Sequence, residues 1–513
     1  MDVMQATPCD PWWSKRNPVR TKVSTCVLSS LGLSGGLAGI LVSCALVSAC
    51  TASGDEVHPP QDQLFFPSGL AVSPDGTVLF VANSNSELRF DSGSIGVIGL
   101  DTVESVIQKW APFPLSGDST MDKPSYDGDC APDPDHRETL ICDAVQFLKI
   151  DAGVRIGNFA TDIAMQNFGN NKLRLIVPTR GDPSIAWADF DSQSKSLSCD
   201  AGSTSFALCD DAHRLTTVQN NPDLPAIPDE PFGVFADPGP ASMGGVHDKG
   251  FAIVTHLTSG AVTLIASPED GNAQVADVKT NLFAQDQATG LRSATGVAGR
   301  TQGLDGDIVY VGSRTEDRIQ TFTVGHPGNN TPPYLLPSNY FFLNTVGSTS
   351  GGSSDTRSMT FSSNGDRMYL VNRQPPSLQI FDTSLDTDGF PRNVGIGASD
   401  ICRQASTVAV FGTGENERAY VTCFQDGEVY VVDPRGQSQV EDIITVGRGP
   451  YSVVVTTYQV EDPMDPTVPK KKIPRSLLFI SNFLEDTIAV VDVTPTSPSR
   501  DRVVLRIGKP RAP

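Results

Sequence analysis

One strand–turn–strand pattern recurs along the chain and constrains its fold more than any other feature. Residues 67–83 read PSGLAVSPDGTVLFVAN, and residues 357–372 read RSMTFSSNGDRMYLVN. Each copy has an apolar run, an Asp-Gly or Asn-Gly turn, and a second apolar run that ends in Asn. β-Branched and aromatic runs broken by such turns are typical of strands joined in hairpins. The pattern therefore predicts a fold built from repeated hairpins.

Five further segments share this pattern, so that seven copies are found. The second strand of each copy ends at an equivalent position, namely Asn83, Thr179, His256, Ser313, Asn372, Cys423 and Asn482. A polar turn then leads to a third apolar strand, as in SLQIFDTS and GEVYVVDP. A repeat of roughly 40 to 50 residues with four short strands is typical of a propeller blade. We predict an all-β fold, a seven-bladed β-propeller with four-stranded antiparallel blades.

The segments SPDGTVLFVAN and VVDV resemble YVTN-type β-propeller repeats, a family named for a similar tetrapeptide at the end of the second strand. The resemblance covers most of residues 60–510 and is strongest in blades 1, 5, 6 and 7. It implies a propeller and allows a channel-sited enzyme of the lactonase type. Because propellers carry unrelated functions, the resemblance does not choose among them.

We assign residues 63–513 to a single propeller domain with inserted loops near residues 111–150, 191–228 and 325–355. The third insertion is rich in Ser, Gly and turn residues, so we expect a loop there. A propeller must also join its last blade to its first, because an open sheet edge invites aggregation. We expect residues 502–507 to complete the outer edge of the N-terminal blade. The alternative is that they form a plain edge strand of blade 7.

The N-terminal segment has the features of an export signal. Basic residues at positions 15–22 precede an uncharged apolar run, 23–49, which is long enough to span a bilayer, so a retained membrane helix is one interpretation. The run ends in VSAC, and small residues before a cysteine resemble the lipobox of bacterial lipoproteins. We favour a signal peptide over 1–49, lipidation at Cys50 and a tether over 50–62. We expect an outer-membrane anchor, facing the periplasm or the exterior.

Six cysteines beyond Cys50 form three locally spaced couples: Cys130 and Cys142, Cys199 and Cys209, and Cys402 and Cys423. An even number of cysteines in an exported protein favours disulfides. A metal site is the competing interpretation, but neither a CxxC motif nor a histidine cluster accompanies them. We predict three disulfides with sequential pairing and assign no metal and no cofactor.

The formal net charge of the chain is −21 at pH 7. Such an acidic body repels phosphate backbones, so we expect no nucleic-acid partner. The expected partners are the membrane, through a lipid on Cys50, and a protein or other envelope component. We expect the propeller to be a monomer.

Arginines recur where loops enter the first strand or leave the second strand of a blade, and in a propeller both loops emerge on the same face. Aligning the repeats places a set of basic residues at this channel mouth: Arg180, His256, Arg292, Arg314, Arg357, Arg373, Arg403 and Arg448. Guanidinium groups bind carboxylates and phosphates through paired hydrogen bonds. The arginines at the channel mouth therefore indicate a site for an anionic ligand. Alternatively, hairpin acids such as Asp182 and Glu316 pair with these arginines as structural ties between blades.

Two classes of function remain, a binding or scaffold module and a lactonase-like enzyme. An enzyme needs convergent acid–base or metal groups at the channel mouth. The aligned positions contain arginines but only one histidine, so we favour binding and assign no catalytic residue. An enzyme, unlike a binding module, is expected to have His256, Arg292 and a carboxylate within hydrogen-bond reach of one another.

Overall fold

The computed structural model of the chain describes residues 57–110, 130–169, 172–200, 206–216, 226–242, 244–300, 308–326, 332–343, 354–462 and 465–511. The expected signal peptide, Cys50 and the tether up to residue 56 lie outside these ranges. Within them, the chain has no helix that is both long and apolar enough to cross a membrane.

The described residues form short strands almost throughout. The first third of the chain contains β1 (Pro67–Val72), β2 (Val78–Asn83), β3 (Gly93–Gly99), the helix α1 (Leu100–Trp110), β4 (Cys130–Pro132), β5 (Leu140–Cys142), β6 (Val154–Ile156), β7 (Ala164–Asn167), β8 (Lys172–Thr179), β9 (Ser184–Asp191), β10 (Ser196–Ser198) and β11 (Arg214–Leu215). The middle third contains β12 (Pro231–Asp237), β13 (Phe251–His256), β14 (Ala261–Ala266), β15 (Gln274–Lys279), β16 (Val297–Arg300), β17 (Ile308–Val311), β18 (Arg318–Gly325), β19 (Tyr334–Phe342), β20 (Thr356–Phe361), β21 (Arg367–Arg373), β22 (Pro376–Asp382) and β23 (Val394–Asp400). The last third contains β24 (Ala405–Phe411), β25 (Arg418–Cys423), β26 (Glu428–Asp433), β27 (Gln439–Thr445), β28 (Pro450–Glu461), β29 (Lys472–Asn482), β30 (Thr487–Asp492) and β31 (Arg502–Ile507).

These strands pair into seven sheets, which confirms the predicted seven-bladed propeller with four-stranded antiparallel blades. Blade 1 is β1, β2, β3 and β6, and blade 2 is β7 to β10, with β11 also paired to β9. Blades 3 to 6 follow in chain order as β12–β15, β16–β19, β20–β23 and β24–β27. Blade 7 contains β28 to β31 and is extended by β5 and β4.

The repeated sequence forms the same turn in blades 1 and 5. Ser73 Oγ accepts hydrogen bonds from two backbone N–H groups after the turn and donates to Asp75, at 2.6 Å. Ser362 Oγ likewise accepts the N–H of residue 367, at 3.0 Å. Gly76 and Gly365 have φ of 66° and 69°, a conformation that favours glycine. The turn chemistry therefore explains why the same residues recur.

Blades pack face to face through the apolar second and third strands, whose residues are almost all buried. Buried tyrosines at equivalent positions of β17, β21 and β25 each extend a hydroxyl to the next blade. The three bonds are Tyr310 to Asn393, at 2.9 Å, Tyr369 to Glu417, and Tyr420 to Asp501, at 3.2 Å. These bonds join neighbouring blades at a distance from the channel.

Hydroxyl groups also link the innermost parts of the blades around the channel. The bonds, in ring order, are Ser68 Oγ to Ala160 O (2.7 Å), Thr161 Oγ1 to Phe232 O (2.6 Å), Thr255 Oγ1 to Thr295 O (2.7 Å), Thr295 Oγ1 to Thr356 O, Thr407 Oγ1 to Tyr451 O (2.7 Å), and the Leu70 N–H to Ser452 Oγ (3.2 Å). Between blades 5 and 6 an arginine takes this place, because Arg373 donates to Ala405 O and to Ser406 Oγ. The ring of blades is thus closed by hydrogen bonds at every junction.

The expectation that residues 502–507 complete the N-terminal blade is wrong. They form β31, which pairs with β30 as the edge strand of blade 7. The outer position of blade 1 is already filled by β6, which follows the long insertion. Instead, the insertion reaches across to blade 7, where β5 pairs in parallel with β31 and β4 pairs with β5. The helix α1 packs in the same core as β29 and β30.

The three predicted disulfides are confirmed: Cys130–Cys142, Cys199–Cys209 and Cys402–Cys423. The first joins β4 to β5 on the outer edge of blade 7. The second holds a segment against the outer edge of blade 1, where the N–H of Cys209 donates to Arg155 O, at 3.0 Å. Two of the disulfides therefore fasten segments that cover sheet edges.

One inserted segment differs from its expected form. Within residues 325–355, the stretch Tyr334–Phe342 is β19, the fourth strand of blade 4. Its apolar residues carry a strand signal that the surrounding Ser, Gly and Asn residues mask. Pro337 lies in this strand, at an open edge where a missing N–H costs no ladder bond.

We predict that the Cys130→Ser, Cys142→Ser double variant is destabilised and prone to self-association. Losing a disulfide that closes a loop of this length costs roughly 3 kcal/mol. Release of the β4–β5 hairpin would also expose the edge of β31. Urea unfolding and light scattering of the full chain in detergent measure both effects.

The matched control is the Cys402→Ser, Cys423→Ser variant, whose disulfide joins the segment before β24 to the end of β25 within blade 6. We expect it to lose stability without self-association below its unfolding midpoint. Equal self-association of the two variants would contradict a protective role of the β4–β5 hairpin.

Candidate functional site

A cavity of about 350 Å³ lies in the central channel. The residues that line it come from the innermost segments of all seven blades, and most of them contribute apolar side chains, hydroxyl groups or backbone atoms. The charged residues in the wall are Asp162, Arg357 and Arg373, and Tyr451 is the aromatic residue with a hydroxyl group. The volume falls within the range of pockets that hold small molecules.

Arg373 is the last residue of β21 and lies half-buried in this wall. Its Nε donates to Ala405 O at 2.5 Å, and its Nη2 donates to Ser406 Oγ at 3.0 Å. Both acceptors are uncharged, and no carboxylate of the described residues forms an ion pair with Arg373. Burial, together with the positive charge of Arg357, lowers the pKa of Arg373 to about 10, so the guanidinium stays charged at neutral pH.

Two neighbouring arginines have carboxylate partners. Arg357, in β20, lies 2.9 Å from Asp355 through Nε and Oδ1, and its Nη2 also donates to that carboxylate. Arg180, which follows β8, lies 2.5 Å from Glu230. The Arg180–Glu230 pair joins blades 2 and 3, whereas the Arg357–Asp355 pair lies within blade 5. Among the described residues, Arg373 has no ion-pair partner.

Asp162 enters the wall just ahead of β7. Its Oδ1 accepts the N–H of Ile163 at 2.9 Å, and its Oδ2 accepts the N–H of Val234, in the next blade, at 3.1 Å. The accessible part of the side chain faces the cavity, deep inside the ring. Burial raises the pKa of Asp162 to about 6, although the two N–H donors act in the opposite direction.

Tyr451 lies near the start of β28, and its hydroxyl has no hydrogen-bond partner within the described part of the chain. Burial raises the pKa of this hydroxyl, with further effects from Arg357, Asp162, Arg373 and Arg180. The four charged side chains therefore act on one hydroxyl group. Together, the guanidinium of Arg373 and the hydroxyl of Tyr451 offer hydrogen bonds to an anion.

His256 does not belong to this site. Its side chain is fully buried, its Nε2 lies 2.8 Å from Thr263 Oγ1, and its Nδ1 lies 3.2 Å from Asp229 O. Burial lowers the pKa of His256 to about 4, so the ring is neutral at pH 7. Arg292 donates to Phe283 O instead. No hydrogen bond joins His256, Arg292 and a carboxylate in the described structure.

The remaining predicted arginines lie outside the cavity wall. Arg314 and Arg403 are exposed, and Arg448 forms an ion pair with Glu485, at 3.4 Å. Strand register explains the difference. Ala405 and Pro450 are the first paired residues of their strands, so Arg403 and Arg448 precede the strands by two residues. Arg357 instead follows the first paired residue, Thr356.

The sequence interpretation missed Asp162 and Tyr451. Tyr451 follows the first paired residue of its strand, as Arg357 does, so a register-based alignment brings it to the channel. Asp162 lies two residues after Ala160, the equivalent position in blade 2. A search of these positions for any polar residue, rather than for arginine, would have found both.

No model of a protein family matches the chain, and no curated protein matches it. Among solved structures, the chain is similar to the periplasmic gluconolactonase PpgL of Pseudomonas aeruginosa, with 14% identity over 75% of this chain and 87% of that one, and a TM-score of 0.47. It is also similar to a putative 6-phosphogluconolactonase from Bacteroides uniformis, with 12% identity over 73% and 83% and a TM-score of 0.44. A third is the β-propeller domain of Cps50 (Swd1) from Myceliophteria thermophila, with 11% identity over 86% and 99% and a TM-score of 0.46. At these identities the likeness concerns the fold and carries no argument about function.

We predict that Asp162 makes the stability of the protein pH-dependent. Its pKa of about 6 in the folded state lies above the ordinary value of roughly 3.9 for an unfolded chain. Protonation therefore favours folding, and this contribution is full below about pH 4 and lost as the pH rises through 6. Relative to wild type, Asp162→Asn should gain stability between pH 4.5 and 7.5, measured by urea unfolding.

The quantity to compare is how the difference in unfolding free energy between Asp162→Asn and wild type changes from pH 4.5 to pH 7.5. The difference at a single pH is not informative, because Asn also alters the two backbone hydrogen bonds at every pH. The exposed Asp62 supplies the matched control, Asp62→Asn, which should follow the wild-type profile. An Asp162→Asn profile parallel to wild type would refute the assignment.

Proposed function

We propose that the protein is an exported, lipid-anchored β-propeller of the bacterial cell envelope, with YVTN-type repeats, that binds an anionic ligand at the mouth of its channel. The observation that carries this proposal is Arg373, a half-buried guanidinium in the cavity wall that has no ion-pair partner in the described chain. Taking an unpaired charge out of water is unfavourable. An anion beside Arg373 offsets that cost and gains hydrogen bonds from Tyr451.

Because the protein as a whole is acidic, an anion-binding site is expected in a small region only. A body with a net charge of −21 repels anions over most of its surface. In the channel, the low-dielectric wall strengthens the attraction of a nearby guanidinium. Anion binding is therefore expected where the channel arginines lie and not on the outer surface.

The N-terminal segment that ends in the VSAC motif at Cys50 supports export and lipid anchoring, and the disulfides support export. Three disulfides in one chain are typical of an oxidising compartment outside the cytoplasm. In this proposal the lipid on Cys50 holds the propeller at the outer membrane. As a monomeric binding or scaffold module, the propeller then presents its channel mouth to an envelope component or a protein that bears the anionic group.

We predict that small anions bind to the full-length protein and that Tyr451→Phe weakens this binding. Removing the hydroxyl deletes one hydrogen bond to a charged ligand, a loss on the order of 10-fold in Kd. The phenyl ring stays, so the fold is retained. Calorimetric titration of the detergent-solubilised protein with phosphate, acetate and gluconate measures the effect.

The exposed Tyr334 of β19 supplies the matched control, Tyr334→Phe, which should bind as wild type. Arg373→Gln should abolish binding, whereas Arg502→Gln, at the exposed first position of β31 in blade 7, should not weaken it. The proposal fails if none of these anions binds or if Tyr451→Phe and Arg373→Gln both bind as tightly as wild type.

We predict that Cys50→Ala moves the protein from the membrane fraction to the soluble fraction of the cell. Without the thiol, no acyl group can be attached. A retained transmembrane helix would keep the variant in the membrane, which would contradict lipid anchoring. Fractionation, with the mass of the purified N-terminal peptide, distinguishes the two cases, and Cys44→Ala serves as the control.

A lactonase-like hydrolase is the second candidate, and Asp162 is the observation that favours it. A carboxyl group with a pKa of about 6 in the same cavity wall as Arg357 and Arg373 is a candidate general base. An enzyme would consume a lactone during the titration, whereas a binding module would leave it unchanged. Product formation that disappears in Asp162→Asn would favour this candidate.

A further inference from the structure

A second cavity, of about 420 Å³, opens between blades 6 and 7 beside the channel. Phe424 and Leu484 contribute apolar surface to its wall. Phe424 directly follows β25, and Leu484 follows β29 by two residues, so both belong to the loops that leave second strands. The second cavity therefore lies on the face of the propeller where the channel arginines also lie.

Three aromatic rings connect the two cavities. Phe424, Tyr451 and Phe483 form a triangle with centroid separations of 6.0 to 6.3 Å. The three side chains are only partly buried, and Phe66, which is fully buried, supports Phe483 from behind at 5.4 Å. Tyr451 lines the channel cavity and Phe424 lines the second cavity, so the contact between these two rings joins an aromatic wall of one cavity to that of the other.

The charges around the aromatic wall differ between its two ends. Asp426 lines the second cavity and stands beside Glu428 at its edge. Arg448, in the same wall, is neutralised by Glu485. The channel end instead has the unpaired guanidinium of Arg373. An anionic group is therefore favoured at the channel end and disfavoured at the second cavity.

We infer that the ligand is a small amphiphilic carboxylate with an aryl-sized apolar group. Arg373 and Tyr451 bind its carboxylate in the channel, and Phe424 and Leu484 contact its apolar group at the second cavity. This inference rests on the proposed function and adds the chemical class of the ligand. Aromatic rings pair favourably with centroids 4.5 to 7 Å apart, and the two cavities have the volume of a small-molecule site.

The test compares carboxylates with and without a ring on the full-length protein in detergent. Calorimetric titrations with acetate, butyrate, 3-phenylpropionate and 4-phenylbutyrate give the gain in affinity from the ring. We expect the phenyl compounds to bind on the order of 10-fold more tightly than butyrate. The uncharged 3-phenylpropanol should bind at least 10-fold more weakly than 3-phenylpropionate, because it lacks the carboxylate.

Phe424→Ala should reduce the gain from the ring to less than about 3-fold while acetate binds as in wild type. Phe390, which is 63% exposed on blade 5, supplies the matched control, Phe390→Ala, which should keep the full gain. If Phe424→Ala does not fold, Phe424→Leu replaces it. Saturation-transfer NMR of 3-phenylpropionate on the wild-type protein should then show its ring protons in closest contact with the protein.

Three results would overturn the inference. If acetate binds but the ring adds nothing, or the gain persists in Phe424→Ala, the ligand class is wrong while the anion site stands. If no carboxylate binds but phosphate does, the ligand class is wrong while the anion site stands; if phosphate does not bind either, the proposed function fails as well. If acetyl-Gly-Gly-Phe binds more than about 10-fold more tightly than 3-phenylpropionate, the site recognises a chain terminus rather than a small molecule.

Discussion

The hydrogen bonds between the innermost segments of adjacent blades determine the shape of the channel. Between the described strands of neighbouring blades, pairing is confined to the outer edges, as where β5 joins β31 and where the segment around Leu208 pairs with β6, so the inner parts of the blades are positioned by core packing and by these bonds. At six junctions Ser or Thr makes the bond, and at the seventh Arg373 makes it. Arg373, which has no ion-pair partner among the described residues and lines the cavity, is therefore also a structural tie between blades 5 and 6.

Closure of the ring depends on a different device. Strand β31 stays within blade 7, and the insertion of blade 1 supplies the link by pairing β5 with β31. The same insertion begins with α1, from which Glu104 accepts a hydrogen bond from Tyr458 of blade 7, at 2.7 Å. The N-terminal and C-terminal blades are thus joined at their outer edges by both a strand pair and a helix. The disulfide between Cys130 and Cys142 fastens β4 to β5, the strand that makes this link.

The sequence predicted the number of blades because turn chemistry repeats with them, as at Ser73 and Ser362. It did not predict ring closure, since β6 is three residues long and carries no periodic signal. Of the arginines predicted at the channel mouth, Arg357 and Arg373 line the cavity, whereas Arg403 precedes its strand by two residues and lies outside the cavity wall. A side chain two residues before a strand and a side chain just inside the strand point in different directions. The strand-pairing partners show which of these two positions a residue occupies, and the sequence alone does not give those partners.

The charge of the channel also explains why Asp162 matters to an anion site. Arg180 and Arg357 have carboxylate partners, so Arg373 contributes the remaining positive charge of these three arginines, and an ionised Asp162 places one negative charge in the same cavity wall. An incoming anion meets a nearly neutral channel when Asp162 is ionised and a positive one when it is protonated. Because burial already raises the pKa of Asp162 to about 6, an anion nearby raises it further. If an anion binds in this channel as proposed, its binding would therefore favour the uptake of a proton by Asp162.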